Sequence, residues 1–255
     1  MKKKIALYII SSTLLSSCGW FSSDMYKFDN QEVLQNDCST QQENDSENSD
    51  CAEVTINYLK AKKPQDFAEK FNDTIQKRIL RILLGENTEK TTIEAASDQF
   101  LKLYKADNEL YGPVPPYEIQ ITDSIFFQNE KIVSLASFTY EYAGGAHGIG
   151  NTTFLNFKPS GDCYTNDELF VDKNKVKEIA EKYFRKQTEI GEGQTYSDNG
   201  FWFEEDVFQL PENIGFKDKE MILFYNPYEI APYSFGAFEI HIPLEEVKEW
   251  IQVLP

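Results

Sequence analysis

Histidine is almost missing from this chain: only His147 and His241 occur in 255 residues. No His-Glu-x-x-His pair and no cysteine–histidine cluster can be drawn, which excludes the common zinc-hydrolase and structural-zinc patterns. The four cysteines are too few for a disulfide scaffold, and none stands in Cys-x-x-Cys spacing. A Gly-x-Ser-x-Gly elbow, a P-loop and a Gly-x-Gly-x-x-Gly in strand–helix context are all absent. Basic residues are scarce too: 25 Lys and Arg face 42 Asp and Glu, a formal net charge of −17. Phosphate binding needs clustered cations, so nucleic acid is excluded as a partner, as is a polybasic grip on anionic lipid. No cofactor or metal is expected. The apolar run from Ile5 to Leu15 is too short for the roughly twenty residues of a membrane-spanning helix.

That run is informative through its flanks. Lys2, Lys3 and Lys4 precede it and Leu15-Ser16-Ser17-Cys18-Gly19 follows, the order of a secretory signal. Leu-Ser-Ser-Cys resembles the bacterial lipobox, which implies removal of residues 1–17 and lipidation of Cys18. A terminus carrying several acyl chains stays on a membrane surface, so the membrane is a partner through this anchor alone. Gly19 stands where an aspartate would signal inner-membrane retention, so the resemblance implies an exported protein at the outer membrane. The acidic charge either steers a cationic partner or serves solubility.

Residues 18–50 read as a disordered, lipid-anchored tether, because Asp29 to Asp50 is almost entirely Asn, Gln, Asp, Glu and Ser. Cys38, Cys51 and Cys163 remain for an oxidising compartment, where an odd count allows one disulfide. Cys38 with Cys51 is the candidate pair, tying the tether to the first strand. Cys51 with Cys163 is the rival, and spacing does not choose between them.

From Cys51 the pattern is that of an α+β fold, antiparallel sheets with packed helices in two intimately joined subdomains, 51–158 and 159–255. Val54, Ile56 and Tyr58 alternate as a half-buried strand. Pro64 opens a helix whose stripe runs Phe67, Phe71, Ile75, Ile79, Ile82 and Leu83, with Gly85 beyond it. Thr92 caps a second helix that Gly112 to Pro116 must end. Strands at 117–127 and 131–142 flank a turn at Gln128-Asn129-Glu130, and a third follows at 151–158. A helix at 173–189, strands near 207–210, 220–225 and 236–242, and a final helix from Pro243 complete the reading.

Two stretches hold the candidate functional residues. Gly144, Gly145 and His147 lie in a loop where glycine allows positive φ and close backbone approach to a ligand. There His147 either contacts a ligand, acts as acid or base, or caps a wide turn. His241 falls on the polar face of a strand. In the second stretch, Tyr225 to Gly236, two prolines fix an extended loop that carries Tyr228 and Tyr233. Its aromatics either present a stacking surface for sugars or proteins, or fold back over the core.

Taken together, Tyr140-Glu141-Tyr142-Ala143-Gly144-Gly145-Ala146-His147-Gly148, Asn151-Thr152 and Tyr225-Asn226-Pro227-Tyr228-Glu229-Ile230-Ala231-Pro232-Tyr233 resemble the PdaC/RsiV-like family of envelope domains. The resemblance covers about residues 51–254 and implies a two-part α+β domain. One relative carries a separate deacetylase domain acting on peptidoglycan; another is an anti-sigma factor whose outer domain binds lysozyme. This chain has neither a deacetylase motif nor a sigma-binding segment, so only recognition of an envelope ligand is expected to transfer. The expected ligand is cell-wall glycan (peptidoglycan) or a cationic lysozyme-like protein, bound by Gly144, Gly145, His147, Tyr228 and Tyr233. The alternatives are a glycan-acting enzyme using His147 and a structural lipoprotein without a specific ligand.

Overall fold

The computed structural model describes residues 25–38, 51–86 and 91–253, so Cys18 and its lipobox lie outside the described residues. Its first element corrects the tether reading. Lys27–Asp37 is a β-strand (β1), paired antiparallel along its length with Ala52–Lys63 (β2). Composition misleads here because β1 is the outer strand of its sheet: it needs few apolar residues of its own and borrows the ladder of β2. Tyr26 and Val33 are buried, and Phe28 packs on Phe71 with ring centroids 5.2 Å apart. The polar remainder suits an exposed sheet edge, where charge discourages pairing with other chains. A disulfide joins Cys38 to Cys51 and closes the connection between the two strands.

Two helices follow, Gln65–Leu84 (α1) and Ile93–Tyr111 (α2). Gly85, at φ +68°, ends α1 and donates its N–H to Arg81 O. The Thr92 hydroxyl accepts from Ala95 N and starts α2. The helices carry the chain across the sheet, so Glu118–Gln128 (β3) lies parallel to β2. Val133–Tyr142 (β4) and Ile149–Phe157 (β5) then add antiparallel neighbours, giving the order β1-β2-β3-β4-β5. The turn at Asn129 holds because its side-chain oxygen accepts from both Lys131 N and Ile132 N.

The second half opens with a short helix, Asn166–Leu169 (α3), whose start carries a reciprocal cap between Thr165 and Glu168. Lys173–Gln187 (α4) follows, capped by the Asp172 carboxylate. Asn213–Lys217 (β6), Glu220–Tyr225 (β7) and Phe238–Pro243 (β8) form a three-stranded antiparallel sheet. No strand forms at 207–210; Phe208 is buried from an irregular segment after the 3-10 turn Glu204–Asp206. The strand comes at 213–217 instead, disguised by Gly215. A Cβ there would stand 2.1 Å from the Phe154 ring, so only glycine lets the strand approach. The last helix is also shorter than expected: Leu244–Val247 (α5) passes into the 3-10 turn Lys248–Trp250, and Ile251 bridges to Phe170.

Each half has its own apolar core, one between the five-stranded sheet and α1 and α2, the other between the three-stranded sheet and α4. A small third cluster of Ala136, Phe154 and Ile222 joins them. Polar ties complete that seam: Asn156 Nδ2 donates to Ile214 O at 2.7 Å, and Phe216 N donates to Ser134 Oγ at 3.1 Å. The loops after β4 and β7 are held at this junction.

Candidate functional site

The site is built by a side chain acting as a strand. Asn226, just after β7, accepts from Thr152 N at 2.8 Å and donates to Thr152 O at 3.0 Å. Its amide thereby satisfies the outer edge of β5 as a neighbouring peptide would, and docks the 226–237 loop there. Glu229 closes the turn from the other side: its carboxylate accepts from Asn226 N at 2.8 Å, and its N–H donates to Asn226 O. Burial pushes the Glu229 carboxyl up, and the Asn226 N–H partly offsets this.

Within that turn Pro227 takes the position that suits its fixed φ, and Tyr228 the next, at φ +68°. Glycine or asparagine normally fills such a position; a tyrosine there is strained. The ring it displays is 50% exposed. Ile230 and Ala231 are buried and anchor the loop to the second core, while Trp202 N donates to Ile230 O at 2.8 Å. Pro232 then leads into the 3-10 turn Tyr233–Phe235, ended by Gly236 at φ +73°. The aromatics of this stretch therefore divide. Tyr225 folds back, fully buried, with its hydroxyl donating to Gln209 O; Tyr228, Tyr233 and Phe235 face outward.

The loop after β4 meets them. His147 lies on Tyr233 with ring centroids 4.2 Å apart and planes at 22°, and Tyr233 lies on Tyr228 at 5.4 Å and 29°. His147 Nδ1 is 2.9 Å from Gly148 O, so the nitrogen facing that carbonyl is the protonated one. Nε2 stands 3.5 Å from the Tyr228 hydroxyl. The Gly148 carbonyl also accepts, at 3.4 Å, from the Tyr233 hydroxyl. Gly148 has to be glycine, since a Cβ would sit 2.3 Å from the Tyr140 hydroxyl.

His147, Tyr228 and Tyr233 are thus brought together as one exposed aromatic surface. Gly144 and Gly145, at φ +92° and +98°, shape the turn before it. Their described neighbours are Tyr117, against Gly144, and Tyr142, whose hydroxyl donates to Gly145 O. Tyr117 is itself fixed by donating to Asp107 at 2.6 Å, a bond that pushes its phenol up to about 12. Tyr140, Gly148 and Asn226 belong to the stretches that carry the family resemblance, but sequence gives them no place in the site, although Asn226-Pro227 carries a turn-initiating signal. His241 lies elsewhere, with Nδ1 2.8 Å from Glu220 and Nε2 3.0 Å from Glu239. Among the described residues no group of three or more His, Cys, Asp or Glu side chains could hold a metal ion.

Comparison with known proteins places both loops in matched segments. Residues 45–150 match the family model described as deacetylase PdaC, and residues 167–245 match the DUF3298 family of unknown function. The first match contains Gly144 to His147 and the second contains Tyr228 and Tyr233, so the stack joins the two. A solved DUF3298 structure from Bacteroides fragilis is similar at TM-score 0.66 and 21% identity, covering 89% of this chain and 93% of its own. One from Pseudomonas aeruginosa is similar at 0.63 and 16%, covering 89% and 95%. No curated protein matches this chain. At these identities the solved structures speak for the fold alone. With both family matches and that shared α+β architecture, the chain carries a PdaC/DUF3298-like domain of unknown function.

Proposed function

We propose that this chain is a lipid-anchored recognition module that binds cell-wall glycan on the His147–Tyr233–Tyr228 surface. One observation carries the reading: three exposed rings, from loops of different sheets, stacked on one another with Tyr228 on strained backbone. A fold tolerates such strain only where the surrounding structure enforces it, and exposed aromatic faces suit the C–H faces of sugars. Cys18 supplies the anchor in this reading, through the lipobox resemblance of Leu15-Ser16-Ser17-Cys18. The described contacts of His147 are Gly148, Tyr228 and Tyr233, none of them a carboxylate, which favours binding over acid–base catalysis.

The test is a pull-down of the purified protein on insoluble peptidoglycan, with Tyr228→Ala and Tyr233→Ala as comparators. Saturable binding lost in both variants, with unchanged circular dichroism, is the expected result. Equal binding by wild type and variants overturns the assignment.

The net charge of −17 favours a second reading, capture of a cationic lysozyme-like protein. Titration with such a protein at low and moderate salt separates the two. A charge-steered complex weakens steeply as salt rises, whereas stacking on a neutral sugar does not.

A further inference from the structure

Beside the stack lies a cleft of about 270 Å³, lined by Gln187, Thr188, Asn199, Phe201, Phe235 and Phe238. Its floor is aromatic: Phe201 is buried and packs against Phe238 at 5.1 Å, while Phe235 stands at the mouth, 48% exposed. The three polar side chains share one property. Gln187 donates through Nε2 to Glu239 O, Asn199 through Nδ2 to Thr195 O, and the Thr188 hydroxyl to Phe184 O. With one N–H of each amide and the Thr188 O–H engaged with backbone, Gln187 and Asn199 each keep an oxygen and a second N–H, and Thr188 keeps its oxygen as an acceptor. No charged side chain lines the cleft.

A fitting occupant offers an apolar face and neutral groups that both donate and accept, as hydroxyls do, since no charged side chain is there to pair with a charge. Phosphates and carboxylates match less well, because no cation lines the cleft to offset the loss of their hydration. The volume is just under the ~300–1,000 Å³ of sites for drug-sized ligands, which suits a single ring. Phe235 leaves the same 3-10 turn as Tyr233, two residues further on, which puts the mouth of the cleft and the stack on one loop.

We propose that this cleft is a second subsite, taking one neutral pyranose ring of a glycan whose neighbouring ring lies on the His147–Tyr233–Tyr228 surface. Phe235 stacks on the C–H face of the sugar, and Gln187, Thr188 and Asn199 accept from its hydroxyl or acetamido N–H groups. The proposal rests on the glycan reading and deepens it by naming the ring chemistry and the direction in which the glycan runs.

The experiment titrates the full chain with N-acetylglucosamine oligomers of two and four units by calorimetry. Wild type is expected to bind the tetramer more tightly than the dimer. Phe235→Ala should weaken the tetramer about tenfold, the scale of one lost stacking contact, and Phe235→Tyr should restore it. Phe235 is half-exposed, so these variants are expected to fold, and a thermal melt checks it. Tetramer binding lost in Tyr228→Ala and Tyr233→Ala but unchanged in Phe235→Ala overturns the subsite and leaves the stack standing. Loss in Phe235→Ala alone overturns the stack and leaves the cleft. Failure of wild type to bind either oligomer overturns both.

Discussion

The imidazole of His147 lies on the ring of Tyr233 at 4.2 Å, although the two residues come from loops of different sheets. Both are exposed, so neither contributes much to a core, and their contact depends on the seam between the halves. Aromatic pairs of this kind contribute about 0.5–1.5 kcal/mol beyond the area they bury. A double-mutant cycle of His147→Ala and Tyr233→Ala in urea denaturation should return coupling within that range. Strict additivity of the two single variants would show that the rings meet without holding the loops together.

Tyr228 separates stability from function. Its φ of +68° costs an L-residue about 1–2 kcal/mol, which glycine avoids at the price of greater freedom in the unfolded chain. Tyr228→Gly should therefore leave stability unchanged or raise it by up to about 1 kcal/mol. It should at the same time lose glycan binding. A destabilised Tyr228→Gly would mean that the ring is needed for folding, and the strain argument would fall with it.

Gly215 and Phe154 test how the two sheets meet. A Cβ on Gly215 would stand 2.1 to 2.6 Å from three atoms of the Phe154 ring, and that ring is buried in the seam. Gly215→Ala should cost about 1–3 kcal/mol through overpacking. Adding Phe154→Leu should recover part of the loss, since the smaller side chain frees the space. If the double variant is no better than the sum of its singles, the cost arises from the β6 backbone and not from this contact.

These features mark what local sequence reveals and what it hides. The stripe of Phe67, Phe71, Ile75 and Ile79, with Gly85 beyond it, contains everything that defines α1, because a helix is made by residues a few places apart. The hairpin at Asn129 is legible for the same reason. By contrast, β1 depends on a partner strand, and its own residues read as tether. β6 carries a glycine whose only reason is a ring just over sixty residues earlier in the chain. At the site, the residue types were legible from the glycine-rich and aromatic stretches. Their stacking was not, because it depends on Asn226 reaching Thr152 across the seam.

The disulfide should matter chiefly to β1. Cys38 and Cys51 are 13 residues apart, and closing a loop of that size stabilises by about 3 kcal/mol in the chain-entropy account. Cys51→Ser should lower stability by an amount of that order. It should also raise amide exchange in 27–37 well above that in α1. Uniform acceleration across the first core would instead show that β1 folds only together with the rest of the sheet.

A last expectation concerns acid. Glu168 is held down at about 2 by its bond to Lys158 Nζ, 2.6 Å away, and next by the Thr165 N–H that it caps. A carboxyl whose affinity for protons is lower folded than unfolded makes stability rise with pH across the interval between the two values. That contribution is fully present above the ordinary glutamate value of 4.5 and is lost as pH falls from there towards 2. Glu168→Gln keeps the shape of the cap but removes the charge, so the difference in stability between wild type and variant should shrink over the same interval. Both partners are open to solvent, so added salt should reduce the effect. A constant difference between wild type and Glu168→Gln from pH 6 to pH 2.5 would show that the cap acts through its hydrogen bonds alone.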